Sequence, residues 1–331
     1  MADGRGGIMA GMHALLSAFG PIWMLTAAGY AVGRSGLLGA QAEAVLGRFV
    51  FHVAMPAALF SMVSGSRPAG FAQLPVVAFA AATALVSGLG YVVARRFFGR
   101  GRADGAISGM ASGYVNSANL GIPVAVQVLG DASFVAQVIL FQVLLVSPVI
   151  LTLLDSGTRA AGGPGGGRPG GGLRRMLTMP VRNPVIMASL LGVAVSAAGL
   201  RLPAALTHSC DLLGAAAVPT ALVTLGLSLH GGPAGGTARV GGRAEVGVAV
   251  TLKTLAQPLT GFLVAGPLLG LPDHQVLAVV LCSALPTAQN AFIYAREYGL
   301  DTGLARNAVV ASTVVSMLTL SFATWALGPA R

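Results

Sequence analysis

The chain has 331 residues, 55% hydrophobic and 9% charged, with a mean hydropathy of +0.79 and a formal net charge of +10. About a quarter of an average soluble chain is charged, so a soluble domain could not hide this much apolar surface. The basic residues sit in short loops between apolar runs without aromatic interleaving, which excludes a nucleic-acid partner; Cys210 and Cys282 have neither metal spacing nor a disulfide framework.

A membrane span needs about 20 apolar residues, and the sequence predicts ten. The first covers 13–33; no cleavage-site pattern interrupts it, so it reads as a span rather than a removed signal. The second, 43–64, carries His52 and Pro56. His52 reads as a packed, hydrogen-bonded histidine, with titration near neutral pH as the alternative. The third covers 73–94, the fourth 106–129 and the fifth 133–154. A Gly-rich stretch from Gly162 to Gly172 follows; its composition is that of a flexible linker, and it lacks the Lys-Ser/Thr ending of a phosphate-binding loop. The sixth and seventh cover 183–199 and 204–228, the latter with Pro219 and with Asp211 a turn or two inside. Pro56 and Pro219, without amides around them, read as bends in a rigid scaffold, with a substrate-facing wall as the alternative. The eighth, 245–270, contains Lys253. The ninth and tenth cover 275–295 and 304–327. Tyr294, Arg296 and Tyr298 read as an interfacial aromatic and charge anchor.

Loop charges set the orientation. Fifteen basic residues, among them Arg34, Arg95, Arg174 and Arg306, fall on one side, against four on the other (Arg5, Arg67, Arg201 and Arg331). The positive-inside rule places the linker in the cytoplasm and both termini outside the inner membrane.

The halves repeat at an offset of 163 residues. Gly29–Leu37 lies over Gly192–Leu200, Pro56–Leu59 over Pro219–Leu222, and Pro123–Gln127 over Pro286–Asn290. Because five is odd, the second copy enters the membrane with opposite orientation, the inverted layout of many secondary transporters. The predicted fold class is therefore an all-α membrane protein of ten transmembrane helices in two inverted five-helix repeats.

Spans four and nine are the unusual ones. Ser112–Pro123 and Cys282–Asn290 each join a proline to a run of amides and small residues. Proline removes one backbone donor, and in hydrocarbon the freed groups need partners. Broken helices at matching positions point to a midplane substrate site; a proline kink glued by amides is the plainer alternative. The candidate substrate-binding residues are Asn116, Asn119, Gly121, Pro123, Gln127, Pro286, Gln289 and Asn290. No carboxylate lies at the centre of either segment, which argues against a buried proton relay. Half-helix N-termini with free N–H groups instead suit an anion. Lys253, also a candidate, has two functional roles open to it: neutralising half-helix C-terminal carbonyls, or contacting an anionic substrate. Snorkelling to the interface is the simpler reading. No Ser/His/Asp order, metal motif or nucleotide fingerprint is present, so an enzyme, a metal and a cofactor are not expected.

At spans four and nine the sequence resembles the auxin efflux carrier family, which includes plant carriers and bacterial malate and malonate permeases. Asn116 followed by Gly121-Ile122-Pro123 matches the first motif, and Leu285-Pro286 with Tyr294-Ala295-Arg296-Glu297-Tyr298 the second. The resemblance implies a sodium/proton-antiporter-like fold with helices four and nine crossing, a scaffold (10–64 and 181–228) and a moving transport unit (73–155 and 243–328) joined through the cytoplasmic linker 156–180. It also implies elevator-type alternating access, a homodimer in the lipid bilayer, and a small organic anion as substrate. The central loop is short, so phospho-regulation there does not carry over. The rivals are a sodium-coupled symporter of the bile-acid type and a channel or non-transporting membrane protein.

Overall fold

With no water to bond to, a backbone in hydrocarbon satisfies itself as helix, and the described chain is helical apart from one isolated β-bridge. The computed structural model describes residues 20–21, 23–65, 73–131, 133–160, 184–200, 202–230 and 242–328. The Gly-rich linker and residues 13–19 and 22 of the first predicted span lie outside them. In chain order the helices are α1 (23–35), α2 (Ala42–Ser64), α3 (Leu74–Phe97), α4 (Arg102–Gly113) and α5 (Ser117–Gly121 running into Ile122–Leu129). There follow α6 (Ser133–Thr158), α7 (Pro184–Ala197), α8 (Ala204–His230), α9 (Gly242–Leu268), α10 (Asp273–Ala284), α11 (Asn290–Glu297) and α12 (Thr302–Leu327). Six of them (α2, α3, α6, α8, α9 and α12) are long and apolar enough to cross a membrane. Predicted spans four and nine are each two half-helices.

Prolines shape several helices without ending them. Among the described residues, the π-helical segments Val50–Ala54, Ser117–Gly121, Gln142–Val146 and Leu252–Ala256 each end two residues before a proline (Pro56, Pro123, Pro148 and Pro258). A fifth, Val264–Leu268, contains Pro267. A proline takes away the donor for the carbonyl four residues back and crowds it; widening the turn by one residue relieves the clash. The bend expected at Pro56 takes this form.

The single offset of 163 holds only for the early helices. Gly36 and Gly199, which it pairs, both adopt left-handed conformations (φ 69° and 61°) just beyond α1 and α7, where a residue without Cβ is favoured. Further on the register changes. The twelve-residue helices α4 and α10 begin at 102 and 273, 171 apart, and so do the left-handed glycines Gly99 and Gly270 before them. Pro123 and Pro286 are therefore not equivalent. Pro286 sits in the break between α10 and α11, whereas Pro123 sits inside α5, just after its π-helical opening turn and past the break at 114–116. Apolar segments match at many registers, so a shared offset does not by itself make two positions equivalent.

The helices associate in two groups. The first comprises α1, α2, α7 and α8. Small residues allow its close crossings: a Cβ on Gly226 would stand 2.1 Å from Thr26 O, and one on Gly214 2.7 Å from Ala58 Cα. The second comprises α3–α6 and α9–α12, with α3 against α4, α4 against α6, and α9, α10 and α12 against one another. A buried charge cluster pins this second group at one end. Arg100 Nε donates to Glu245 Oε2 at 2.8 Å, Arg100 Nη2 lies 3.2 Å from Asp301 Oδ2, and Ser108 Oγ donates to Glu245 Oε1 at 2.8 Å. Burial opposes the guanidinium charge, but the bonds and charges of Glu245 and Asp301 outweigh it and raise the Arg100 pKa above its ordinary value.

Between the groups the main pairings are α11 against α2 and α8, and α12 against α8. Arg296 pairs with Glu43 and lies over Gly47; His52 Nε2 is 3.4 Å from Glu297 Oε1; Arg306 Nη1 donates to Ser228 O at 2.6 Å. Two expectations fail here. His52 is hydrogen-bonded, to Arg48 O, but is not packed: it is exposed on α2, with Glu297 and the edge of Phe51 beside it. Tyr294 is no interfacial anchor but is fully buried edge-to-face against Phe51, because α11 runs inside the bundle.

Candidate functional site: a crossing of two broken helices

The residue before a proline is driven out of helical conformation. Leu285 accordingly takes φ −58°, ψ 148°, and α10 stops at Ala284. In the other break Tyr114 is extended after Gly113, and no proline follows for nine residues. Each break completes the other. Asn116 N–H donates to Pro286 O at 2.8 Å and Ala288 N–H to Tyr114 O at 3.1 Å, so Val115 and Thr287 form an antiparallel bridge. Two turns of unwound backbone thus satisfy their central groups against one another.

The carbonyls that end α4 and α10 are also served. Thr287 Oγ1 donates to Ala111 O at 2.6 Å, and Gln257 Nε2 to Gly113 O at 2.9 Å and to Thr83 Oγ1 at 3.1 Å. Lys253 Nζ donates to Ser283 O at 2.8 Å, with 0% of the residue exposed. That geometry is the first of the two roles open to Lys253, and it excludes snorkelling. Gln142 Nε2 donates to Val115 O at 3.0 Å while its Oε1 accepts from Ser117 Oγ at 2.6 Å. Side chains from other helices thus partner carbonyls at the C-terminal ends of both α4 and α10.

The opposite ends differ. Among the described residues, nothing accepts from the backbone N–H groups of Ala118 and Asn119 at the start of α5, or of Gln289 and Asn290 at the start of α11. Gln289 Oε1 is buried and unpartnered. Ala118 is exposed, and Asn119 and Asn290 are half-buried, so this side of the crossing is open. Leu59, Val63, Val218 and Leu222 of α2 and α8 share one apolar cluster with Val115, Leu120 and Leu285.

The structure thus gathers Asn116, Asn119, Gly121, Pro286, Gln289 and Asn290 at the crossing. Gly121 is tight against Leu285: a Cβ there would stand 3.1 Å from Leu285 Cδ1. Gln127 lies about two turns further along α5 than Asn119, and Lys253 approaches from behind, on the C-terminal end of α10. The side chains of Pro123 and Gln127 lie outside the described residues. Sequence reading missed Thr83, Gln142, Gln257 and Thr287. For Gln257 a signal existed: it stands four residues from Lys253, on the same helix face.

Comparison with known proteins agrees with this architecture. The chain is similar to a Rhizobium meliloti (strain 1021) protein named "Putative malonate transporter", 27% identical over 314 residues, covering 91% of this chain and 92% of that one. It is also similar to an uncharacterized transporter of Methanothermobacter thermautotrophicus, 28% identical over 90% of this chain and 94% of the relative. A third relative is the uncharacterized transporter YfdV of Escherichia coli K12, 25% identical over 90% and 91%. The family described as membrane transport protein matches residues 14–161 and 173–324, nearly the whole of both halves, and the chain belongs to that family of integral membrane transporters, which includes the auxin efflux carriers.

Proposed function

We propose that the protein is a secondary carrier of small organic anions, carboxylates or dicarboxylates, working by elevator-type alternating access. The observation that carries this is the open side of the crossing, where two half-helices begin with unpartnered N–H groups and no carboxylate stands nearby. Helix N-termini hold partial positive charge and present donors, which together favour an anion. Asn116, Asn119, Gln289 and Asn290 surround the position, and the α2/α8 wall supplies its apolar side. The relative named for malonate supports the same class of substrate.

The division into two helix groups supports the rest of the reading. The group of α1, α2, α7 and α8 is the scaffold, and the group that holds the crossing is the moving unit. The left-handed glycines and equal half-helices support an inverted repeat of five spans, with both termini outside the inner membrane and the linker inside. Most residues in the first turns of α8, Asp211 among them, are exposed. A carboxylate facing lipid is costly, which supports a homodimer that covers it.

Uptake of labelled malonate into proteoliposomes, competed by a panel of mono- and dicarboxylates, tests the function. Saturable uptake and counterflow are expected. Asn116→Ala should raise KM about tenfold or more, the loss of one hydrogen bond to a charged group. Linear, non-saturating flux would replace the carrier by a channel, and wild-type kinetics in Asn116→Ala would move the site elsewhere.

A further inference from the structure

Lys253, Gln257 and Gly261 follow one another at i, i+4 and i+8 and form one buried ridge of α9. Ser283 of α10 faces that ridge. Its carbonyl accepts from Lys253 Nζ at 2.8 Å, and its Oγ stands 2.9 Å from where a Cβ on Gly261 would be. Among the described residues, the group that accepts from the ammonium is a neutral oxygen, the carbonyl of Ser283. Among the described residues no carboxylate pairs with Lys253, while Ser283 Oγ and Gln257 Oε1 are buried without a hydrogen-bond partner. An ammonium has three donors, and the carbonyl of Ser283 uses one.

This is an unusual setting for a lysine and an ordinary one for a small cation. Carbonyls at the C-terminal end of a half-helix, backed by the negative end of its dipole, are the groups with which carriers hold sodium. We propose that Lys253 is a covalently tethered counter-cation in the place of a coupling alkali ion, so that transport needs no sodium and a fixed positive charge accompanies the anion. The inference rests on the carrier reading above and specifies its coupling. Removing the ammonium should leave an oxygen-lined vacancy with a net attraction for a monovalent cation.

The test compares wild type, Lys253→Ala and Lys253→Ser in sodium, potassium, methylammonium and choline chloride at equal ionic strength, by thermal unfolding of the purified protein and by malonate uptake. Wild type should melt at the same temperature and transport at the same rate in sodium and in choline. The variants should melt lower in choline and regain several degrees in sodium, potassium or methylammonium, because a ligand that binds only the folded state stabilises it. A variant recovered from the membrane only with one of those cations present counts as such a response. Wild-type dependence on sodium would overturn the proposal, and so would variants that respond to none of the cations or are recovered in none. A wild type that takes up no carboxylate would remove the carrier reading, while the unfolding measurements would still decide whether Lys253 occupies a cation site.

Discussion

Single polar side chains close the accounts that two broken helices open. Thr287 is the clearest: its hydroxyl donates to Ala111 O while its N–H is received by Ser312 Oγ at 3.0 Å. Thr287→Val keeps the shape and removes the donor, leaving a buried carbonyl unpaired. That should cost about 1–3 kcal/mol, visible as a lower Tm in detergent with the bridge backbone otherwise retained. Gln257→Leu orphans Gly113 O in the same way and should lower Tm by a similar amount. An unchanged Tm in both would mean that water reaches these carbonyls. In the sequence, amides and prolines near the middle of a span marked this region; the threonine and the glutamine did not stand out, because neither type is rare in apolar helices and their partners are carbonyls on other helices.

At the level of elements, proline has two different consequences here. Pro286 forces Leu285 out of the helix and ends α10, whereas Pro123, like Pro56, Pro148 and Pro258, follows a π turn inside a helix that continues. The two substitutions should therefore separate. Pro286→Ala frees Leu285 to become helical, competes with the bridge and should reduce uptake to a small fraction of wild type. Pro123→Ala restores a regular turn and should keep most of the rate. Initial rates in proteoliposomes decide this, and equal losses would show that both prolines define the break. Sequence reading located span nine's break correctly and put span four's at the wrong residue, since the feature that holds 114–116 open is the partner strand 286–288 and not a local breaker.

Across the whole molecule, charged contacts serve two purposes. Arg100, Glu245 and Asp301 tie together parts of one helix group, and with Glu245 only 3% exposed this cluster resists loss of a member. Arg100→Met should destabilise by about 3–5 kcal/mol by leaving the buried Glu245 carboxylate uncompensated, and Arg100→Met/Glu245→Leu should recover much of the loss. Thermal unfolding of the three proteins tests this; a double variant no better than the single would show that the cluster's geometry, not its charge, matters. Glu43 and Arg296 join the two groups instead, and their side chains are 27% and 22% exposed. Glu43→Gln should change stability by less than about 1 kcal/mol. If the groups move past one another, it should nevertheless alter the uptake rate; an unchanged rate would mean that this pair persists through the cycle.

Apolar run length and proline-amide segments determined by themselves that the chain is a helical membrane protein, where most of the described helices begin and end to within a few residues, and which two predicted spans break. These are local or one-dimensional quantities, set by the cost of exposing backbone and charge to hydrocarbon. Tertiary structure alone decided which residues hold the break in span four, the exposure of His52, the burial of Tyr294, and the partner of Lys253. Each of these depends on which face of a helix meets which neighbour, and in a bundle where nearly every face is apolar, hydrophobic periodicity carries almost no record of that choice.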